Sequence, residues 1–247
     1  GLSTNYSNGG LFAKLSKAAV KNLKFTNVNI KAGATVGTVA GEAGAQYDNT
    51  NIVNIENIEI SGKVEGTTMV GGVVGVMFRG TLKDITVNAD VKGTGSTVGG
   101  ICASTTHVSL NNLIYEGNVS GSEVCGGIVG KIEGKATLIN NLESSGTVQG
   151  QRSVGGIAGC VHSAEFDSIS SESGISTTGL TTLVEKKGIG GLFGEAKFGV
   201  KISNSYYNGS INGYGDTGGL IGYAYDITLT GCHSDGAISG LNDDGFK

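Results

Sequence analysis

The chain has 247 residues, of which 45 are glycine, and it contains neither proline nor tryptophan. Collagen needs glycine at every third position together with many prolines, and disorder needs few apolar residues and a high net charge. Neither applies, because 38% of the residues are hydrophobic and the net charge is only −4. The 17 basic residues are scattered, which argues against nucleic acid, and no apolar run approaches the ~20 residues of a membrane span. The glycines must therefore occupy defined positions in a folded chain.

A pattern of Gly-Gly-hydrophobic-x-Gly recurs along the whole chain. Counting from Gly9, the intervals between the first glycines of successive copies are 28, 34, 28, 27, 29, 35 and 28 residues. Five intervals lie within one residue of 28, so the chain is a repeat protein with two loop insertions. The first glycines are Gly9, Gly37, Gly71, Gly99, Gly126, Gly155, Gly190 and Gly218. The glycines of the five copies with all three glycines are Gly71, Gly72, Gly75, Gly126, Gly127, Gly130, Gly155, Gly156, Gly159, Gly190, Gly191, Gly194, Gly218, Gly219 and Gly222.

Each repeat continues with an alternating apolar run and then Gly-x-Val/Ile-x-Gly. The clearest case is Ile55 to Ile60 followed by Gly62 to Gly66, and the pattern returns at 110–121, 138–150, 202–213 and 229–240. Alternation indicates strands with one buried face, and no stretch has the 3.6-residue period of a helix. We therefore predict two or three short strands in each repeat, separated by Gly or Asn corners.

Such a repeat cannot bury its apolar face alone, but it can do so when stacked on its neighbours. We predict an all-β fold, a right-handed parallel β-helix (β-solenoid) of about eight ~28-residue coils, as one domain over residues 1–247. A flat antiparallel sandwich is the competing fold, but recurrence in one register favours the solenoid. A propeller blade needs ~40 residues or more.

The repeat assigns structural roles to its own residues. The Gly-Gly pair allows a tight corner with positive φ or close approach of neighbouring backbones, and the third position, alanine at Ala13 and Ala103, has room for nothing larger. The hydrophobic position should form a ladder inside the coils: Leu11, Val73, Ile101, Ile128, Ile157, Leu192 and Leu220.

The four cysteines match no metal or redox motif. Their spacing contains no CxxC pair and fits no zinc site. They stand at different points along their coils, which argues against disulfides. We expect Cys102, Cys125, Cys160 and Cys232 to be buried free thiols.

The repeated Gly-Gly-Leu/Ile/Val-x-Gly strand resembles the GLUG motif over about residues 9–240. This motif occurs in IgA-specific zinc metallopeptidases of Gram-positive bacteria and in adhesin-like bacterial surface proteins. The resemblance implies an extracellular, secreted or surface-attached parent chain, with further domains contiguous with this one and the repeats outside any catalytic domain. A peptidase is not carried over, because none of His107, His162 and His233 belongs to a His-Glu-x-x-His motif.

No catalytic or metal-binding constellation is recognisable in the sequence. Glycoside hydrolysis needs two facing carboxylates, but the only adjacent aspartates, Asp243 and Asp244, are at the C-terminus. Polysaccharide lyases would want acids clustered near a basic residue, and neither Arg79 nor Arg152 has such a cluster. A calcium roll would place Asp after Gly-Gly-x-Gly-x. We therefore predict no enzymatic activity, no cofactor and no metal, with no nucleic acid partner and no membrane insertion.

Two features point to ligand binding. Five tyrosines fall in the last two coils: Tyr206, Tyr207, Tyr214, Tyr223 and Tyr225. Exposed rings there would stack on sugars, for which the candidates are Tyr206, Tyr214, Tyr223 and Tyr225, although some rings of this cluster could instead belong to the core. The two insertions, about Gly44 to Asn54 and Ser173 to Lys187, are favoured places for binding.

The second insertion carries the basic pair Lys186 and Lys187, although Leu180, Leu183 and Val184 in it could simply cover an apolar flank. We predict a non-catalytic spacer with an adhesive or glycan-binding face for a host glycan or protein. The alternative is an accessory domain that positions substrate for a zinc metallopeptidase whose catalytic domain lies outside this chain.

Overall fold

The computed structural model describes residues 2–3, 8–134, 139–178 and 188–241. These residues form strands, turns and bends without a helix, so none of them forms a helix able to cross a membrane. The strands of the first half are β1 (Leu2–Ser3), β2 (Asn8–Gly9), β3 (Phe12–Leu15), β4 (Ala19–Lys31), β5 (Thr35–Val36), β6 (Ala40–Ala43), β7 (Val53–Gly66), β8 (Met69–Gly71), β9 (Val74–Gly93), β10 (Thr97–Gly99), β11 (Cys102–Ser120), β12 (Val124–Gly126) and β13 (Val129–Glu133). Those of the second half are β14 (Ile139–Gly150), β15 (Ser153–Gly155), β16 (Ala158–His162), β17 (Glu165–Ser171), β18 (Gly174–Thr177), β19 (Ile189–Gly190), β20 (Phe193–Ser203), β21 (Tyr206–Tyr207), β22 (Ser210–Tyr214), β23 (Thr217–Gly218), β24 (Ile221–Thr230), β25 (His233–Ser234) and β26 (Ala237–Leu241).

The fold is an all-β parallel solenoid of about eight coils, as predicted. One short strand from each coil joins an eight-stranded parallel sheet, β2-β5-β8-β10-β12-β15-β19-β23, which we call the short-strand sheet and use to number coils 1 to 8. The remaining strands also pair in parallel with their equivalents in the next coil. The right-handed sense of the coil stays a prediction from the chirality of parallel crossovers.

The register of the strands that follow the glycine bend reproduces the predicted intervals. Its aligned residues are Phe12, Ala40, Val74, Cys102, Val129, Ala158, Phe193 and Ile221. Coil 1 differs from the predicted alignment of the glycines in the short-strand sheet. Gly9 pairs with Val36, which is the apolar residue directly before the first glycine of its own copy of the motif. The aligned glycine of coil 1 is therefore Gly10.

The short-strand sheet is covered on both faces. Ser153, Val154 and Gly155 of β15 are all buried, although neighbouring residues of a strand point to opposite faces. On one side the third repeat glycine packs against it, since a Cβ on Gly75 would lie 2.6 Å from Thr35 Cγ2. On the other side a Cβ on Gly93 would lie 2.5 Å from Val98 Cγ2. Side chains larger than those present do not fit at these contacts, as predicted for the third glycine.

The Gly-Gly pair serves close approach of backbones and not positive φ. A Cβ on Gly100 would lie 2.0 Å from the Gly127 carbonyl oxygen of the next coil and 2.5 Å from Tyr115 Cδ2. Apart from the extended Gly10, positive φ occurs at other glycines of the described chain, outside these pairs. Of the two predicted roles, the corner with positive φ is therefore wrong.

The predicted aliphatic ladder is buried in its middle and exposed at its ends. Val73, Ile101, Ile128, Ile157 and Leu192 are fully buried. By contrast, Leu11 is 50% exposed and Leu220 is only partly buried. These two lie in coils 1 and 8, at the two ends of the described short-strand sheet.

A stacked column of left-handed residues forms one corner of every coil. Its members have φ between 49° and 63° and are Asn22, Asn57, Asp84, Asn112, Asn141, Ser168, Asn204 and Gly231. Asparagine and aspartate tolerate this conformation better than other residues with a Cβ. Their side chains bond along the column, as where Asn112 Nδ2 donates to Asp84 Oδ1 at 2.8 Å. The predicted Gly or Asn corners are confirmed at this column, except that Asp84 and Ser168 take the position in two coils.

The first insertion is a compact loop between β6 and β7. The backbone N–H and hydroxyl of Thr50 both donate to Asp48 Oδ1, at 2.9 and 2.7 Å. Asn51 Nδ2 donates to Ser16 Oγ at 2.9 Å, which ties the loop to coil 1. Tyr47 projects from the loop with 91% of its surface exposed.

The second insertion is shorter than predicted. Gly174–Thr177 form β18, which pairs with β14 and is therefore part of the regular coil. Residues 179–187 of the predicted insertion, which include Leu180, Leu183, Val184, Lys186 and Lys187, lie outside the described residues.

The cysteines are free, and three of the four are buried as predicted. Burial raises the pKa of Cys102 and of Cys125 to about 12. Cys232 departs from the prediction because it lies in coil 8 and is partly exposed. Cys160 lies on an outward-facing strand position beside His162.

Candidate functional site

The structure brings together two of the four candidate tyrosines. Tyr223 and Tyr225 alternate on β24, so they share one outward face of coil 8, and both are exposed. Tyr214 is half-buried in β22, where its N–H donates to Thr177 Oγ1 at 3.1 Å. The other predicted candidates, Lys186 and Lys187, are not among the described residues.

Tyr206 belongs to a different surface. It lines an open groove of about 230 Å³ together with Glu116, Glu143 and Glu172. Its ring stacks on His233, with centroids 5.4 Å apart and planes inclined by 13°. Because the three carboxylates give this groove a negative character, it differs chemically from the surface around Tyr223 and Tyr225.

Tyr207 belongs to the core. Its hydroxyl donates to the Ser173 carbonyl at 2.9 Å, and burial raises its pKa above the usual value. The Tyr207 ring packs on Gly191, where a Cβ would lie 2.2 Å from Cγ of the ring. The alternative that some rings of the tyrosine cluster are core residues is therefore correct for Tyr207.

The exposed tyrosines continue two columns of outward-facing side chains on coils 6, 7 and 8. Residues two apart on a strand share a face, and equivalent residues on adjacent strands are about 4.8 Å apart. The first column is Cys160, Glu195 and Tyr223, and the second is His162, Lys197 and Tyr225. Two unlike rows of polar groups therefore lie side by side on one sheet surface.

Glu195 is the buried charge of this surface. It is 3% exposed, and its Oε1 lies 2.9 Å from Lys197 Nζ. Because a buried charge needs a partner, the Lys197 ammonium stabilises the Glu195 carboxylate at this position. The hydrogen bond to Glu195 raises the pKa of Lys197 above its usual value. The Lys197 ammonium also lies 4.8 Å from the centroid of the Tyr223 ring, in a cation–π contact.

Cys160 and His162 converge on the same carboxylate. His162 Nε2 lies 3.4 Å from Cys160 Sγ and 3.7 Å from Glu195 Oε1, and Sγ lies 3.7 Å from that oxygen. A nucleophile–base–carboxylate relay uses both ring nitrogens, one toward the nucleophile and the other toward the carboxylate. Here Nε2 of His162 lies near both Cys160 Sγ and Glu195 Oε1, so the three groups do not form such a relay.

Phe198 adds a strained aromatic residue to the rim of this surface. Its φ is +66°, and the register of β20 with β24 shifts between Lys197 and Val200, which marks a bulge. Its ring is 53% exposed and lies edge-on to His162 at 5.2 Å and to Tyr225 at 6.3 Å. Phe198, Tyr223 and Tyr225 together form an exposed cluster that we call the aromatic corner.

Five residues of this surface were not predicted from the sequence as site residues: Cys160, His162, Glu195, Lys197 and Phe198. The signal for the first three is present in the repeat. Cys160 follows the third glycine of its copy, Glu195 follows the third glycine of the next copy, and His162 is two residues from Cys160. The repeat register alone places them together. The conformation of Phe198 also recurs along the chain, because the equivalent residues of other coils have φ between 53° and 57°: Arg79, His107, Ser163 and Asp226.

No family model matches the sequence. The chain is 27% identical over 219 residues to a Streptococcus sanguinis protein named immunoglobulin A1 protease, which covers 87% of this chain but 9% of that protein. A solved structure from Bacteroides ovatus, provisionally described as an immunoglobulin A1 protease, covers 90% of this chain and 60% of its own, with 16% identity and a TM-score of 0.34. The chain is thus similar to a small part of a much longer protein that carries the protease name, in agreement with the link that the repeats implied.

Proposed function

We propose that this chain is a non-catalytic, GLUG-type solenoid module of a larger secreted or cell-surface bacterial protein, serving as a spacer that presents a glycan-binding face. The spacer role is supported by one continuous apolar core, which runs from Leu15 in coil 1 to Ile211 in coil 7. Similarity to 9% of a protein named immunoglobulin A1 protease supports a place inside a longer chain. An enzyme that meets an antibody works outside the cell, which supports the extracellular location.

The observation that carries the glycan-binding face is the exposed ring of Phe198. Its left-handed φ belongs to a corner that recurs in other coils, at Arg79, His107, Ser163 and Asp226, but a bulky residue in this conformation is strained by about 1–3 kcal/mol. The ring stays 53% exposed, so burial does not offset this cost. Bulges of this kind often redirect a side chain next to a functional site. Here the bulge directs the Phe198 ring toward Tyr225.

The aromatic corner has the chemistry that sugars need. Its three rings offer apolar faces and edges to the C–H faces of a pyranose. Lys197 and His162 lie beside the rings and supply polar N–H groups for sugar hydroxyls. The rings meet edge-on, with Phe198 and Tyr225 inclined by 76°. We therefore expect the corner to hold a branched or terminal sugar rather than a flat linear chain.

A glycan array of the 247-residue chain, followed by calorimetry on the glycans it retains, tests this proposal. Phe198→Ala and Tyr225→Ala should each weaken binding about tenfold or more, which corresponds to ~1.4 kcal/mol. Tyr47→Ala is the matched control, because Tyr47 is 91% exposed on a loop of coil 2. A silent array, or equal loss with Tyr47→Ala, would remove the binding role and leave only the spacer.

A second substitution at the corner separates binding from folding. Phe198→Gly removes the ring and relieves the left-handed strain, since glycine adopts positive φ without penalty. The protein should therefore unfold at the same or higher urea concentration while its glycan affinity falls. A destabilised Phe198→Gly variant with full affinity would contradict the role of this residue.

The name of the Streptococcus sanguinis relative favours a second candidate, an accessory domain that positions immunoglobulin A1 for a zinc metallopeptidase elsewhere in the parent chain. Surface plasmon resonance of immobilised chain against immunoglobulin A1 tests it. Binding that survives enzymatic deglycosylation of the antibody would support protein contact over glycan contact. No binding to either form would end this candidate.

A further inference from the structure

Three potential metal-ligand atoms of different chemistry meet at one point between coils 6 and 7. They are Cys160 Sγ, His162 Nε2 and a carboxylate oxygen of Glu195, all within 4.8 Å of one another. Cys160 and His162 extend from the same face of β16, and Glu195 lies beside Cys160 on β20. Because hydrogen-bonded strands of one sheet hold all three, their positions are set by backbone register and not by a flexible loop.

The spacing of these atoms matches the edges of a tetrahedral zinc site. The three separations are 3.4 Å for S to N, 3.7 Å for S to O and 3.7 Å for N to O. Zinc bound tetrahedrally by thiolate, imidazole and carboxylate places such atoms about 3.4–3.6 Å apart, given Zn–S near 2.3 Å and Zn–N or Zn–O near 2.0–2.2 Å. Small rotamer adjustments would therefore bring all three atoms to bonding distance from one ion.

The donor set also selects the ion. A thiolate and an imidazole suit zinc, whereas calcium and magnesium prefer all-oxygen sites. Three protein ligands complete most of a tetrahedron and leave the fourth position to a small exogenous ligand. We propose that Cys160, His162 and Glu195 bind one zinc ion, which joins coil 6 to coil 7 across the longest interval of the repeat.

Lys197 competes with the ion in this arrangement. Its ammonium lies 2.9 Å from the same Glu195 oxygen that zinc would use. Its side chain is 23% exposed, so it can leave Glu195 for solvent or stay over the Tyr223 ring. Zinc binding therefore replaces the Lys197 ammonium with a zinc ion as the partner of the Glu195 carboxylate. Removing Lys197 should strengthen the site, which a purely structural ion pair would not do.

Cobalt substitution of the 247-residue chain tests the site directly. One equivalent of Co²⁺ should produce a sulfur-to-cobalt charge-transfer band and intense visible bands of tetrahedral cobalt, and zinc should abolish both. Cys160→Ser should remove the charge-transfer band, whereas Cys232→Ser, at the partly exposed cysteine of coil 8, should keep it. Loss of the charge-transfer band in Cys232→Ser, or its absence from the unsubstituted chain, would overturn the proposal.

Affinity for zinc, measured by competition with a coloured chelator, gives a second readout. His162→Gln and Glu195→Gln should each weaken binding about tenfold or more, and Lys197→Met should strengthen it about tenfold, a change of ~1.4 kcal/mol. Zinc should also raise the melting temperature of the unsubstituted 247-residue chain but not that of the Cys160→Ser variant. Equal zinc affinity in the unsubstituted chain, the His162→Gln variant and the Lys197→Met variant would refute the site. Loss of glycan binding leaves these results unaffected, so the two proposals fail separately.

Discussion

Gly191 shows how little space the repeat leaves at a single residue. A Cβ there would lie 2.2 Å from the Gly219 carbonyl oxygen and 2.2 Å from Tyr207 Cγ. Gly191→Ala must displace either the next coil or a buried ring, so we expect a loss of about 3 kcal/mol or more in unfolding free energy. Urea denaturation measures this loss.

Gly174→Ala is the matched control for that prediction. The nearest atom to a Cβ on Gly174 is 3.7 Å away, an ordinary contact. Replacing glycine by alanine at a compatible position changes stability by about 1 kcal/mol or less, usually upward. If both variants unfold at the same urea midpoint as the unsubstituted chain, the contacts at Gly191 do not restrict the size of the side chain there.

The carboxyl group of Asp167 makes the stability of the fold depend on pH. Hydrogen bonds from Ser203 Oγ at 2.7 Å, Asn204 Nδ2 at 2.8 Å and Ser168 Oγ at 3.0 Å lower the pKa of this carboxyl below its ordinary 3.8. These bonds favour the charged form, so their stabilising effect is present above the ordinary pKa and is lost as the pH falls through the depressed one.

Ser203→Ala removes the largest cause of that shift. We expect it to raise the pKa of Asp167 toward its ordinary value, measured by NMR titration of the carboxyl carbon. Ser239→Ala is the control, because Ser239 Oγ bonds the Ile211 carbonyl and no carboxylate. An Asp167 pKa that stays low in Ser203→Ala would show that this bond does not set it.

The left-handed corner is the element that turns each coil. Asn112 has φ +53° and its amide bonds Asp84 in the coil before. Asn112→Ala keeps a Cβ in the left-handed region but removes the amide that makes this conformation tolerable for asparagine, at a cost of about 1–2 kcal/mol. Asn112→Gly loses the side-chain bond but has no conformational penalty, so it should unfold at higher urea than Asn112→Ala. The reverse order would mean that the side-chain bonds, and not the conformation, stabilise the corner.

At this scale the sequence predicted the elements well, because alternation and glycine spacing are local signals. The strands after the glycine bend keep the predicted intervals of the repeat. Two assignments failed where the decisive contact is between coils. The role of the Gly-Gly pair depends on a carbonyl of the next coil, and β18 takes Gly174–Thr177 into the sheet by pairing with β14.

The whole molecule is a stack in which each coil contacts its neighbours. β11 in coil 4 pairs with β9 on one side and with β13 and β14 on the other, whereas β24 in coil 8 pairs only with β20 among the described strands. Leu229 and Ile238 of coil 8 are about half exposed. In such a chain, opening can start at an end and spread coil by coil.

Hydrogen exchange of the 247-residue chain measures that gradient. We expect amides of β11 to exchange about a hundredfold more slowly than those of β24, because central coils open only after their neighbours. Zinc should slow exchange in β16 and β20 if the metal site forms. Uniform protection from coil 4 to coil 8 would show that the solenoid opens as one unit.

The sequence by itself determined the repeat, the all-β solenoid, about eight coils and the place of the first insertion, since these depend on residue spacing that each coil repeats. It also sets Cys160 and His162 two residues apart. Only the tertiary structure decided what lies beside them. Glu195 is 35 residues from Cys160 in sequence and reaches it because parallel pairing aligns β16 with β20 across the second insertion. The left-handed Phe198 stands at a corner that recurs along the chain, but the register shift beside it and the exposure of its ring depend on how coil 7 pairs with coil 8. Local spacing builds the coil, but contacts between coils assemble the surface where we place function.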